Sequence, residues 1–285
     1  MMPKASMGAT RRFLGLGLAG AKNQKTSLAV LEYYEKQKKT FLLEIFDHIA
    51  PKAPQTGDEG LLSLLAPIQT PGVKMGVNVA LEFPPCTSCS RKTCPLPAHC
   101  SVACVKWMRE LNRKALPHPP ASRRVLEFTP YTQRPIELWI RYQILPRLSE
   151  ASQFEIDETL GGNRAPLSAR MNFLKRHLSE IVLLETWPKL SVAILATQLN
   201  LDRRMISSYR QLENGAHARE EILIALTQSY PIFIYEKDLR KLSLSLTAFD
   251  AFICAYTALL SDQGLCAKPP SSFPKSSGWI QYPEF

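Results

Sequence analysis

Three apolar runs stand at the head of the chain, at residues 13–18, 28–34 and 41–46, separated by turns that contain Lys and Asn. Short apolar runs bounded by turn residues are strands, and three in succession make a meander. The first strand is expected over 12–18 and the second over 27–34. A short helix over 59–65 and the break at Pro71-Gly72 lead to a fourth strand over 73–81. Beyond that point the apolar spacing turns helical, over 105–116, 135–148, 165–178, 191–199 and 237–260, with one compact strand at 181–186 closed by Trp187-Pro188. Ser191 is the expected N-cap of its helix. Strands first and helices later predict an α/β fold in which helices cover a mixed sheet. Residues 12–285 are expected to form one domain, and residues 1–11 a disordered lead.

Composition narrows the class. Of 285 residues 45% are apolar and 21% charged, which excludes a wholly disordered chain. A chain of this length buries about three quarters of its unfolded surface and needs no disulfides to hold a core. The most apolar stretch, 244–260, is interrupted by Asp250 and several hydroxyl residues and falls short of the roughly 20 apolar residues of a membrane span. Arg11-Arg12-Phe13-Leu14 imitates the start of a twin-arginine or secretory signal, but the expected structure is a buried first strand over 12–18. Seven cysteines, mostly clustered, suit a reducing compartment, so a cytoplasmic location without membrane attachment is expected.

Five of those cysteines fall within 19 residues, as Cys86-x2-Cys89-x4-Cys94-x5-Cys100-x3-Cys104. Zinc takes four soft ligands in a tetrahedron, and a Cys-x2-Cys turn presents two thiolates to one ion. Cys86, Cys89, Cys94 and Cys100 are the expected ligands of a structural zinc in a cysteine-rich insertion over 83–104. Cys104 is the alternate and His99 a weaker competitor. An iron-sulfur cluster would use the same thiolates, and free or redox-paired thiols are the remaining alternative.

The net charge is +10, and Lys106, Arg109, Arg113, Lys114, Arg123 and Arg124 follow one another against the single acid Glu110. A one-sided field of this kind attracts phosphate backbones, which makes nucleic acid a candidate partner, although a solvated helix face has the same composition. Residues 192–201 followed by 203–209 imitate a helix-turn-helix, a spacing that any two amphipathic helices share. The chain has no P-loop, dinucleotide glycine fingerprint or nucleophile elbow.

Five segments line up in order: Gly15-Leu16-Gly17-Leu18-Ala19-Gly20, Gly76-Val77-Asn78-Val79-Ala80-Leu81, Leu184-Glu185-Thr186-Trp187-Pro188, Phe249-Asp250-Ala251-Phe252-Ile253, and Ser277-Gly278-Trp279-Ile280-Gln281-Tyr282-Pro283-Glu284. Together they resemble a family of predicted nucleases with the ribonuclease H-like fold, domain of unknown function 429. The resemblance implies a five-stranded mixed sheet with helices on both faces and an acidic cluster that binds magnesium or manganese. Two such ions would activate water for phosphodiester cleavage. It assigns catalytic roles to Glu185 and Asp250. Two positions depart from the pattern: Gly17 and Asn78 stand where the family has Asp, so Asn78 supplies at most a neutral ligand. Asp47 and Glu82 are the nearby acids that could substitute. Arg134, which ends a further family-like segment, Asn163 in the Gly161-Gly162 loop and Arg170 are the expected phosphate or substrate contacts, with structural ion pairing as their alternative. The functional expectation is a nuclease-like protein with a degenerate metal site. An inactive nucleic-acid-binding or scaffold module is the alternative, and a redox or iron-sulfur protein a further one.

Overall fold

The structure, a computed structural model, describes residues 10–20, 25–115, 128–149, 154–211 and 213–285. The expected lead at 1–11 falls almost wholly outside them, as do Arg123, Arg124 and the turn after residue 20. In chain order the elements are β1 (Thr10–Gly17), β2 (Thr26–Tyr34), β3 (Lys39–Ile49), α1 (Gly57–Leu65), β4 (Lys74–Val77), α2 (Leu96–His99) and α3 (Ala103–Ala115). There follow α4 (Pro135–Trp139), α5 (Arg164–Leu174), β5 (Val182–Glu185), α6 (Pro188–Gln198), α7 (Arg203–Ser208), α8 (Gly215–Ser229), β6 (Ile232–Phe233), α9 (Glu236–Leu244) and α10 (Leu246–Asp262).

The strands form one mixed sheet in the order β5-β4-β1-β2-β3-β6. β1, β2 and β3 run antiparallel to one another as the expected meander, while β4 and β5 lie parallel to β1 on its other side. The sheet has six strands where five were expected. β6 is only two residues long and pairs parallel with Thr40 and Phe41 of β3. β1 and β2 are continuous apolar runs because both faces are covered. On one face Phe13, Ala29, Leu31 and Leu42 pack against α6, α8 and α10, and on the other Leu14, Leu16, Leu28 and Met75 pack against α1 and α5.

Several boundaries differ from the sequence expectation for local reasons. β4 stops at Val77 rather than 81, because the Asn78 side chain turns back and its Oδ1 accepts the Leu18 N–H at 2.8 Å. The single helix expected over 237–260 is two, bent by 114° at Ser245, whose extended backbone and hydroxyl cap the Ala248 N–H at the start of α10. The helix expected over 135–148 is α-helical only to Trp139. It continues as a wider π turn over Ile140–Ile144 and a 3-10 turn at Leu145–Arg147, where Pro146 has no N–H to donate. α6 starts at Pro188, so Ser191 lies inside the helix, where its hydroxyl accepts from Thr257 of α10 at 3.1 Å. Among the described residues no single helix is long and apolar enough to cross a membrane.

Helix α10 lies against the sheet with its backbone almost touching the strands. A Cβ built on Gly15 would come 1.9 Å from the Ala251 carbonyl oxygen, on Gly17 2.3 Å from that of Thr247, and on Gly76 2.2 Å from that of Cys254. Three glycines on adjacent strands therefore set how closely α10 seats, and α10 carries Asp250 to the strand ends.

Candidate functional site

The ends of β1, β4 and β5 meet at one corner of the sheet. Asn78 follows β4 and staples it to β1 through the Leu18 N–H. Glu185 ends β5 in register with Val77. Asp250, one turn into α10, faces the same corner from above the sheet, and it lines with Asn78 an open cleft of about 660 Å³. Glu185 lies in a smaller niche that also borders Asn78. Asn78, Glu185 and Asp250 are thus brought into one neighbourhood.

Their partners are arginines. Arg134, immediately before α4, donates from Nη1 to Glu185 Oε2 at 2.8 Å and from Nη2 to Oε1 at 2.6 Å. Its Nε reaches Glu137 Oε1 at 3.0 Å, and the Leu81 N–H adds a further bond to Glu185 at 2.9 Å. Arg134, Glu137 and Glu185 are all buried. Burial lowers the guanidinium pKa, but the Glu185 and Glu137 carboxylates outweigh it and hold Arg134 above its ordinary value, so it stays charged. Arg134 was an expected phosphate contact; its donors are instead turned inward on these two acids.

Asp250 is held similarly. Arg210, just beyond α7, donates from Nη1 to both carboxylate oxygens at 3.0 Å and rests on the Tyr209 ring at 5.5 Å. Burial again acts to lower its pKa, and the charge of Asp250 wins. This pairing also decides the helix-turn-helix pattern. α6 is buried along most of its length and α7 has six residues with Ile206 in the core, so the pair is part of the fold rather than a projecting recognition unit.

The acids that could have substituted are held by other partners. Asp47 accepts from the hydroxyls of Ser27 at 2.7 Å and Ser245 at 3.1 Å, and Glu82 accepts the Gly278 N–H at 2.6 Å. Gly17 has no room for a carboxylate beneath Thr247. As they stand, no three His, Cys, Asp or Glu side chains among the described residues form a ready ligand set. The corner does not fit a pair of divalent cations: Glu185 and Asp250 are each occupied on both oxygens by a guanidinium, and Gly17 and Asn78 carry no charge.

The cleft mouth carries charges of both signs: Lys25, Arg164, Lys189 and Arg210 line it with Asp157, Glu158 and Asp250, and Asn163 borders it at the start of α5. Asp157 accepts from Lys189 at 2.9 Å and Arg164 at 3.1 Å. Burial raises its pKa, but the Lys189 hydrogen bond and the charges of Arg164 and Lys189 outweigh that and set it below the ordinary carboxylate value. Arg170, the other expected contact, ties Asp58 at 2.8 Å to Thr26 at 3.0 Å and to the Ala19 carbonyl, so it braces α1 against the β1–β2 end. On α3, Lys106 pairs loosely with Glu110 at 3.9 Å, Arg113 and Lys114 are exposed, and Arg109 donates to the carbonyls of Pro97 at 2.9 Å and Cys100 at 3.1 Å.

All seven cysteines are free thiols. Cys100 is buried, Cys86 half-buried, and Cys89 and Cys94 exposed. Burial pushes the Cys86 thiol up, and the nearby Cys100, Cys89 and Cys94 push it further. Cys104, the alternate ligand, instead contacts the Ser276 hydroxyl at 3.2 Å. His99 is exposed at the end of α2.

Arg210, Glu137, Asp157, Arg164 and Lys189 were not singled out from the sequence. Only Glu137 carried a local signal, three residues after Arg134 at the opening of a proline-started helix. No family model matches the chain, and no curated protein or solved structure matches it.

Proposed function

We propose that this chain is a ribonuclease H-like protein that binds nucleic acid without cutting it. The observation that carries this reading is the neutralised corner: Glu185 and Asp250 each give both carboxylate oxygens to an arginine. A hard divalent cation requires free anionic oxygens, and a bidentate guanidinium occupies them and adds a repelling positive charge. The mixed sheet with helices on both faces supports the fold half of the reading. The net charge of +10 and the exposed Lys106, Arg113 and Lys114 support the binding half.

The test is an assay of labelled single- and double-stranded DNA and RNA with magnesium or manganese, run beside binding titrations at several salt concentrations. Salt-sensitive binding with intact strands is the expected result. Metal-dependent cleavage that disappears in Glu185→Gln/Asp250→Asn would replace this reading with that of a nuclease, and absence of binding at low salt would remove the nucleic-acid partner.

A further inference from the structure

The segment between β4 and α3 is held from its two ends and has almost no core of its own. Of the fifteen residues from Cys86 to Cys100 only Cys100 is buried. The sole regular element is the four-residue α2, and its leucine, Leu96, is 66% exposed with a positive φ of 65°. Loops of this length without secondary structure need an anchor or remain loose.

The chain anchors the base. The Cys86 N–H donates to the Pro130 carbonyl at 3.0 Å, and Cys86 packs against a small cluster of Cys100, Val105, Met108, Phe128 and Leu138. Arg109 of α3 holds the carbonyls of Pro97 and Cys100. The outer limb has the Arg91–Ser101 bond at 2.7 Å and little else. That limb carries Cys89 and Cys94, three and eight residues beyond Cys86 in the chain, and both are exposed. Four thiols thus stand on one fifteen-residue loop, Cys86 and Cys100 packed together on the anchored base and Cys89 and Cys94 on the exposed limb, not yet gathered into a ligand set, and the fifth, Cys104, contacts Ser276 instead.

We propose that Cys86, Cys89, Cys94 and Cys100 bind one zinc ion that fastens the outer limb of this loop to the α3–α4 layer. Four thiols in a compact loop, with a Cys-x2-Cys turn at its start, are the donor set of a structural tetrahedral zinc site, with no position left open for chemistry. Binding exchanges thiol protons for the metal, transfers no electrons, and closes the ligand loop in the same event, so the set need not be assembled beforehand. His99 is not required, because four sulfurs fill the shell.

The experiment uses the full chain purified under reducing conditions, with zinc and iron measured per chain by elemental analysis. One zinc per chain is expected, retained in Cys104→Ser and lost at least tenfold in Cys89→Ser/Cys94→Ser. Because the double variant could fail to fold, the wild-type chain is also stripped and titrated with cobalt, which in a four-sulfur tetrahedral site gives intense thiolate charge-transfer and d–d bands. Stoichiometric iron with visible absorbance, zinc that survives the double substitution, or a stripped chain that gives no cobalt bands each overturns the proposal. None of these outcomes depends on whether the cleft binds nucleic acid.

Discussion

The acidic corner and the cysteine loop are opposite solutions to placing reactive side chains. At the corner both acids are buried and partnered, Glu185 with Arg134 and the Leu81 N–H and Asp250 with Arg210, and the neutral Asn78 accepts the Leu18 N–H. In the loop the thiols have no comparable partners and two of four are exposed. The corner has the two acids that the resemblance names, and each is paired with a cation of the chain's own. The loop has thiols that no side chain among the described residues pairs with. Legible metal-binding residue types therefore do not locate a metal; whether the chain itself already supplies the counter-charge decides it.

The largest effect is expected where that counter-charge is removed. Arg134→Met leaves Glu185 and Glu137 buried without their cation and should cost about 3–5 kcal/mol of unfolding free energy. Cys89→Ser, in a loop with no core, should change the unfolding free energy by no more than about 0.5 kcal/mol while making 83–102 the first site of proteolysis. Urea titrations read by circular dichroism compare the two directly. If Arg134→Met were as mild as Cys89→Ser, the corner would not be the more tightly determined of the two regions.

Next in size is the seat beneath the corner. Gly76→Ala forces a methyl to within 2.2 Å of the Cys254 carbonyl oxygen, where backbone and not a flexible side chain must yield. A loss of about 1–3 kcal/mol is expected from such overpacking. Full stability in that variant would mean that α10 can lift, and with it that Gly17 could have accommodated a carboxylate.

A smaller change is expected on the basic surface. Lys106→Glu/Arg113→Glu alters exposed side chains and should leave unfolding unchanged. Nucleic-acid affinity should fall across all sequences, and the salt slope should fall by about one for each phosphate no longer neutralised. Unaltered salt dependence would move binding from α3 to the cleft mouth.

The meander, the fourth and fifth strands and the helical class were legible because apolar runs and turn residues are local signals. The two-residue β6 was not, since Ile232–Phe233 has no periodicity to read and is a strand only because β3 lies beside it. The break at Ser245 was hidden in a pattern that stays apolar on both sides of it. At the site, the resemblance put Asn78, Glu185 and Asp250 in one neighbourhood, but the arginines that neutralise the two acids come from 51 and 40 residues away. No local pattern announces such pairs, and Arg134 looked like a phosphate contact for the same reason it makes a good internal partner, a planar fork of donors.

The smallest prediction separates the two regions by pH. Asp157 at the cleft mouth is held below its ordinary value of 3.8 because its pairing with Lys189 and Arg164 outweighs its burial. A carboxyl whose folded pKa is depressed contributes stability fully above the unfolded value, and loses it as pH falls through the folded one. Asp157→Asn should therefore differ from the wild type near neutrality and converge with it in acid. The difference should stay below about 1 kcal/mol, since this carboxylate is 34% exposed and screened by water. Zinc on the cysteine loop would be released in the same titration by protonation of thiolates, which bind protons far more readily than a paired carboxylate. Loss of bound zinc should accordingly come at higher pH than the convergence of the two unfolding curves. If the curves stayed parallel into acid, the Lys189 and Arg164 pairing would contribute nothing, and the mouth of the cleft would hold its basic residues free for a ligand.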